Sequence, residues 1–394
     1  MKKTVAVFFG GQACEHDISI VTSHQIMENM NRDRFRVVPV YITREGQWYS
    51  GEKLFDMEFM RRFDSEEKSL QRVLISPMPN DRKLLIEPKK SGLFGKKEEF
   101  IVIDAAIIAM HGLNGEDGTL QGVLELAEIP YTSSGVLGSA VGMDKVMMKA
   151  AFRGADIPVL PGICILRDEW ESNPEQAIAK VEKDFQYPLM VKPANLGSSI
   201  GISKADDRDG LYEAMEVAVQ YDRRILVEHA VEEMAEYNCS TMGFSEEVRV
   251  SVCEQPVSWQ SFLTFEEKYL RDSSGKNAGM ENMGRILPAP IDDELTAQIQ
   301  ALSGKIFRLF DCKGVVRIDY IYDKANQQIY ANEINTIPGS FAFYLWEPLG
   351  ISFEQLIDQL IQMAEEAHRE KKRSVFAYDS NVLKKNYFGS KSRK

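Results

Sequence analysis

Cysteine, histidine and tryptophan are all scarce in this chain, at five, five and four among 394 residues. The cysteines (Cys14, Cys164, Cys239, Cys253, Cys312) are odd in number, far apart and never spaced C-x-x-C, which excludes a disulfide framework or a zinc cluster as the organising device. Basic charge is in deficit too: 47 Lys and Arg stand against 59 Asp and Glu, a net charge of -12, whereas general nucleic-acid affinity needs clustered cations. No stretch approaches the ~20 apolar residues of a membrane helix. The first apolar run, Val5 to Phe9, stops at Gly10-Gly11, so it reads as a strand rather than a secretion signal. No membrane insertion and a cytoplasmic location are expected. Walker A and G-x-G-x-x-G patterns are both missing, which disfavours P-loop and nicotinamide-binding folds.

What the chain does have is alternation. Short β-branched runs at 5–9, 37–42, 105–110, 189–192, 225–228, 315–322 and 328–333 are separated by helical patterns, which predicts an α/β fold with antiparallel character late in the chain. The segment 319–330 alternates and then turns through polar residues, as a hairpin does. The length exceeds one ordinary core, so two or three lobes are expected, with boundaries near Met143 and Glu228. The resulting divisions are 1–142, 143–228 and 229–368, followed by a basic tail at 369–394 that reads as solvated. An amphipathic helix is predicted over Phe353 to Ala367, and 88–99 reads as an inserted surface loop.

Four clusters carry chemistry. Gly10-Gly11-Gln12-Ala13-Cys14-Glu15 follows the first strand, where glycines let backbone N–H groups approach a ligand, although the same turn is ordinary in doubly wound sheets. His111-Gly112-Leu113-Asn114-Gly115-Glu116-Asp117-Gly118 lies at the carboxyl end of another strand, where open α/β sheets place their sites. Lys192, with the turn Gly197-Ser198-Ser199-Ile200-Gly201, offers a cation, backbone donors and two hydroxyls, a set suited to polyphosphate oxygens. Last, Arg317-Ile318-Asp319 and Glu333-Ile334-Asn335-Thr336-Ile337-Pro338-Gly339 sit on successive strands. Side chains alternate along a strand, so Asp319, Glu333 and Asn335 converge as hard oxygen donors for Mg²⁺.

In this order and spacing the four clusters resemble the D-alanine:D-alanine ligase family over residues 3 to 365. The resemblance implies a three-lobed ATP-grasp fold, a doubly wound N-terminal lobe plus two lobes gripping ATP, and an acid–amino-acid ligase that makes a D-amino-acid dipeptide through an acylphosphate for peptidoglycan. It implies ATP and Mg²⁺ or Mn²⁺ as cofactors and small amino acids, D-alanine first, as partners, and it admits a homodimer. Carried over residue by residue, Lys145 and Lys192 would contact ATP phosphates. Ser199, Glu228 and Lys268 would belong to the same ATP site, with Glu236 on the ribose. Asp319, Glu333 and Asn335 would hold the metal, and Arg317 with the Gly339 N–H would face the developing oxyanion. Glu15 and His111 would orient the first amino acid, while Tyr269 of a closing lid would meet Glu15 and Ser198.

The chain departs from the family after Pro338-Gly339. Ser340-Phe341-Ala342-Phe343-Tyr344-Leu345-Trp346 is one residue longer and more aromatic than the family pattern, and its acceptor-binding serine has no clear counterpart. Tyr344, nearest in register, and Lys268 are the candidates for the second substrate. In the lid, Leu263 and Phe265 replace common tyrosines and 276–285 is extra. Aromatic pocket walls imply an acceptor other than D-alanine as the alternative reading. A non-catalytic ATP-grasp binding protein is the rival from another class.

Overall fold

The computed structural model describes residues 2–87, 99–257 and 284–378, in which three sheets each organise their own core. The first contains β1 (Lys3–Gly10), β2 (Phe35–Ile42), β3 (Trp48–Ser50), β4 (Gln71–Ile75), β5 (Lys83–Ile86), β6 (Glu99–Val102) and β7 (Ala105–Ile108), ordered β6-β5-β4-β3-β2-β1-β7. β1 runs parallel to both β2 and β7. The last six residues of β1 are all buried, as a central parallel strand covered on both faces requires. β3 to β6 extend this sheet in antiparallel fashion, an addition that the alternation of the sequence does not announce.

The second sheet is antiparallel, built from β8 (Gly162–Leu166), β9 (Leu189–Pro193), β10 (Ser203–Ala205) and β11 (Arg224–His229) in the order β10-β9-β11-β8. Helices Pro174–Glu182 and Arg208–Tyr221 cover it over a core of Trp170, Val191, Leu211, Met215 and Ile225. The third comprises β12 (Met234–Phe244), β13 (Glu247–Pro256), β14 (Arg285–Ile286), β15 (Gly314–Asp323) and β16 (Gln328–Asn335), ordered β14-β13-β12-β15-β16. The expected hairpin forms as β15 and β16, and the second strand runs on to Asn335. Helix Asp293–Leu309 closes the opposite face with Ile299, Ile306 and Phe307 against Val316, Ile318 and Tyr320.

The amphipathic helix near the carboxyl end spans Phe353–Lys371, four residues past its expected stop. Ser352 and Gln355 start it with a reciprocal capping box. Its apolar face, Leu356, Ile357, Leu360 and Ile361, joins the core of the first sheet. The extension carries ion pairs of Lys371 with Glu125 and of Lys372 with Glu128, while both lysines stay exposed to solvent. Of the expected insertion at 88–99 all but Glu99, which starts β6, and of the expected lid at 268–287 all but 284–287 lie outside the described residues, as does the tail from 379.

Candidate active site

The carboxyl ends of β1 and β7 deliver the first two clusters to one place. At the end of β1, Gly10 has φ +86°, and a Cβ there would stand 2.2 Å from the Ile42 carbonyl oxygen. Only glycine fits that turn. Its N–H does not reach outward, however: Gly10 N donates to Ser19 Oγ at 2.8 Å and Gly11 N to the Ile42 carbonyl at 2.7 Å. His16 is likewise internal, bonded to the Gly11 carbonyl and the Tyr41 hydroxyl. The glycine turn is therefore structural, and what it positions is the buried Glu15, ahead of helix His16–Asn29.

Glu15 lies between two glycines of different lobes. A Cβ on Gly112 would meet its Oε2 at 2.6 Å, and one on Gly197 would meet the same atom at 2.9 Å. Ser198 donates its hydroxyl to Glu15 Oε1, which ties the second-sheet turn to the first lobe. Ser198 and Ser199 adopt φ of +54° and +58°. Two successive non-glycine residues in the left-handed region mark a turn that its surroundings impose. Glu116 stands behind this contact, accepting from Gly112 N at 2.9 Å and Ile337 N at 3.0 Å. Burial, and then the charge of Glu15, push its carboxyl well above the usual range. His111 is buried at the same junction, with Nε2 2.9 Å from Thr22 Oγ1. Burial pushes its imidazole down to about 4.

The lysines come from the helix after Asp144 and from β9. Asp144 caps helix Lys145–Gly154 by accepting from Val146 N and Met147 N at 3.0 and 2.9 Å. Lys145 Nζ donates to the Leu196 carbonyl at 2.8 Å and lies 3.3 Å from Glu333 Oε2. One turn on, Lys149 pairs with Glu228 Oε2 at 2.5 Å, and Lys192 pairs with Glu228 Oε1 at the same distance. Burial alone would raise the Glu228 carboxyl, but the two ammonium groups outweigh it and hold it at about 2. Lys149 was not singled out in the sequence, although its i,i+4 spacing from Lys145 puts both on one helix face.

The third sheet carries a polar row. Glu254, Asn238, Asp319 and Glu333 stand opposite one another on β13, β12, β15 and β16, with Arg317 opposite Asn335 in the adjacent row. Arg317 binds both Asp319 oxygens at 2.7 and 2.8 Å, a bidentate pair. Asn335 Nδ2 donates to Asp319 Oδ2 at 3.0 Å, which leaves its Oδ1 free to face a cation. Asp319, Glu333 and Asn335 are thus together, as the strand alternation predicts, and their hard oxygens suit Mg²⁺. Glu236 projects from β12, further along the same sheet.

After Pro338 the chain makes a tight, buried turn at Gly339–Leu345, where Ser340, Phe341 and Ala342 take φ of +46°, +57° and +49°. Ser340 N reaches Thr22 Oγ1 at 3.4 Å, and its hydroxyl bonds Gln25. The aromatic run is chiefly core, not pocket wall. Phe341, Leu345 and Trp346 are buried in the first core, Phe343 stacks on Phe353 with centroids 4.4 Å apart, and Trp346 Nε1 donates to Ser240 at 3.1 Å. Tyr344 faces the polar row. Its hydroxyl donates to Glu254 Oε1 at 2.8 Å, and the Arg285 guanidinium lies 3.7 Å over its ring. Glu254 had no signal in the sequence, because its role depends on which strands flank β13. Lys268 and Tyr269 lie outside the described residues.

A three-sheet α/β chain, with Lys145 of the second lobe facing Glu333 on an antiparallel hairpin of the third and Lys192 bonded to Asn332 beside it, defines the ATP-grasp class of fold. Residues 4–134 match the family model described as D-ala D-ala ligase N-terminus, and 151–362 match D-ala D-ala ligase C-terminus. The chain is 40% identical to a D-alanine–D-alanine ligase of Caldicellulosiruptor bescii, over 94% of this chain and 97% of that protein. It is 38% identical to one of Thermosipho melanesiensis, over 96% and 98%. Among solved structures it is similar to the VanG D-Ala:D-Ser ligase of Enterococcus faecalis, with TM-score 0.76, 30% identity and coverage of 92% and 100%. It is also similar to the D-alanine-D-alanine ligase of Coxiella burnetii, with TM-score 0.75, 25% identity and coverage of 94% and 96%. The chain belongs to the D-Ala-D-Ala ligase family, whose members are ATP-dependent. Among the described residues no helix is long and apolar enough to cross a membrane.

Proposed function

We propose that this chain joins two D-alanine molecules at the expense of ATP, making the dipeptide used in peptidoglycan synthesis. The observation that supports this reading is the chain of contacts that brings together Glu15 and Ser198, Lys145 and Lys192, and the Arg317–Asp319–Glu333–Asn335 group. An amine acceptor, a carboxylate donor and a polyphosphate each find a partner of fitting charge there.

In this reading Glu15 receives the ammonium of the first amino acid, and buried neutral His111 fixes the loop beneath it. Lys145 and Lys192 neutralise phosphate oxygens, with Lys149 and Glu228 setting the direction of Lys192; Ser199 adds a donor and Glu236 meets the ribose. Asp319, Glu333 and Asn335 would hold Mg²⁺, which when bound supplies charge neutralisation between phosphates. Arg317, already fixed by Asp319, and the Gly339 N–H face the oxyanion that forms as the second amine attacks the acylphosphate. Positioning and charge carry such a transfer, since no covalent protein nucleophile is required. Lys268 and Tyr269 would close the site from the lid. The lobes 1–142, 143–228 and 229–368 are proposed as its three parts.

A second reading keeps the ATP half and changes the acceptor. It is favoured by Tyr344, Glu254 and Arg285, a polar and charged group beside Arg317 in a family where VanG is a D-Ala:D-Ser ligase. Mass spectrometry after incubation with ATP, Mg²⁺ and a panel of D- and L-amino acids decides between them. Dialanine as the main product supports the first reading, a mixed D-Ala dipeptide the second, and phosphate release without any dipeptide rejects both.

A further inference from the structure

Beneath the end of helix Phe353–Lys371 lies a cavity of about 250 Å³, built from residues that the ligase reading does not use. Leu124, Ile129, Pro130, Ala364 and Ala367 give it apolar walls, and the largely exposed Phe376 adds to its lining. The charges in its lining are nearly all matched. Glu125 accepts from the Tyr131 hydroxyl at 2.7 Å and pairs with Lys371, while Glu128 pairs with Lys372 at 3.0 Å. His368 is held neutral at physiological pH, since burial and then the neighbouring cations Arg82 and Lys372 push it down to about 4.

Lys313 is the exception. Its Nζ donates to the Tyr131 carbonyl at 2.9 Å and sits 3.5 Å from the centroid of the Tyr131 ring. Among the described residues no carboxylate pairs with it. Three ammonium groups in the lining therefore face two carboxylates, which leaves one positive charge over. Lys313 is half-buried, and desolvation of an ammonium that has no counter-ion is costly, which pushes it down to about 7.

We propose that this cavity is a binding site for a small monocarboxylate with an apolar body, its carboxylate paired with Lys313 and its hydrocarbon held between Leu124, Ile129 and Ala364. One anionic charge balances the lining, and a second would meet Glu125 and Glu128 unfavourably. The site is also connected to the chemistry. Lys313 immediately precedes β15, which carries Arg317 and Asp319 about 13 Å and 20 Å further along at ~3.3 Å per residue.

The test is titration calorimetry on the full chain with benzoate and hexanoate, run with saturating ADP and D-alanine so that the ligase site is filled. Benzamide and hexylamine serve as uncharged and cationic counterparts. Saturable binding of the acids, at least tenfold tighter than either counterpart, is expected. Lys313→Met should weaken it tenfold or more while ligase turnover without the acid stays unchanged. Ala367→Phe, which fills the cavity and leaves the charge, should abolish binding independently, so the test survives if the lysine variant does not fold. Equal binding of benzoate and benzamide, undiminished binding to Ala367→Phe, or no heat from either acid at millimolar concentration would each overturn the proposal.

Discussion

The Tyr344 hydroxyl donates to Glu254 Oε1 at 2.8 Å in the interior, with the tyrosine 5% and the glutamate 3% exposed. That same oxygen accepts from Asn238 Nδ2 at 3.0 Å, and Arg285 lies 3.6 Å from Oε2. Tyr344→Phe leaves a buried carboxylate one donor short, at a cost of about 1–3 kcal/mol. The expected outcome is a lower melting temperature and an acceptor KM raised severalfold, with the KM for ATP unchanged. Steady-state kinetics with each substrate varied in turn checks this; a shift confined to ATP would place Tyr344 elsewhere.

The Lys149–Glu228–Lys192 triad predicts a loss of stability when its acid is removed. Glu228→Gln strands two buried ammonium groups, which costs about 3–5 kcal/mol. Chemical denaturation should show that loss. The double variant Glu228→Gln with Lys149→Met should recover part of it, because one of the stranded charges is removed.

Glu333→Gln tests the donor set on the hairpin. It keeps the shape and the neighbouring Lys145 but removes one anionic oxygen, so the fold should persist by circular dichroism while turnover falls at least a hundredfold. Turnover near that of the unaltered protein would refute the assignment.

His111 sets a pH dependence. Its folded pKa of about 4 lies below the ordinary value of 6.5, so between these values the unfolded chain binds the extra proton. Stability therefore rises with pH across pH 4 to 6.5 and is lost as the solution is acidified, by about 3 kcal/mol in all. Glu228, held at about 2, adds a loss of the same sign below pH 4.5. Replacing His111 by Gln should flatten the melting-temperature profile between pH 6.5 and 4.5. An unchanged slope would mean that His16, His24 or His368, all likewise lowered, dominate.

Gly112→Ala tests the cradle around Glu15. A Cβ there comes within 2.6 Å of Glu15 Oε2 and φ is +70°, so both sterics and backbone oppose it. A tenfold or greater loss of kcat/KM for the first amino acid is expected, against a smaller change for ATP.

The sequence by itself determined a great deal. Strand period placed Arg317 and Asp319 on one face and Glu333 and Asn335 on the other strand of the same hairpin, because alternation is a property of the backbone alone. Glycine content and strand ends likewise located Glu15, His111 and the Gly197–Gly201 turn. Tertiary structure decided what those patterns leave open. Whether Gly10 and Gly11 offer their N–H groups to a ligand depended on Ser19 and Ile42, which claim them. The fate of the aromatic run 341–346 depended on a left-handed turn and on helix Phe353–Lys371, which together bury most of it as core. Glu254 and Lys313 were silent in the sequence, for the same physical reason. A lone charged residue declares its role only through what long-range packing sets against it: for Glu254 a tyrosine hydroxyl and an arginine, for Lys313 a cavity and no carboxylate among the described residues.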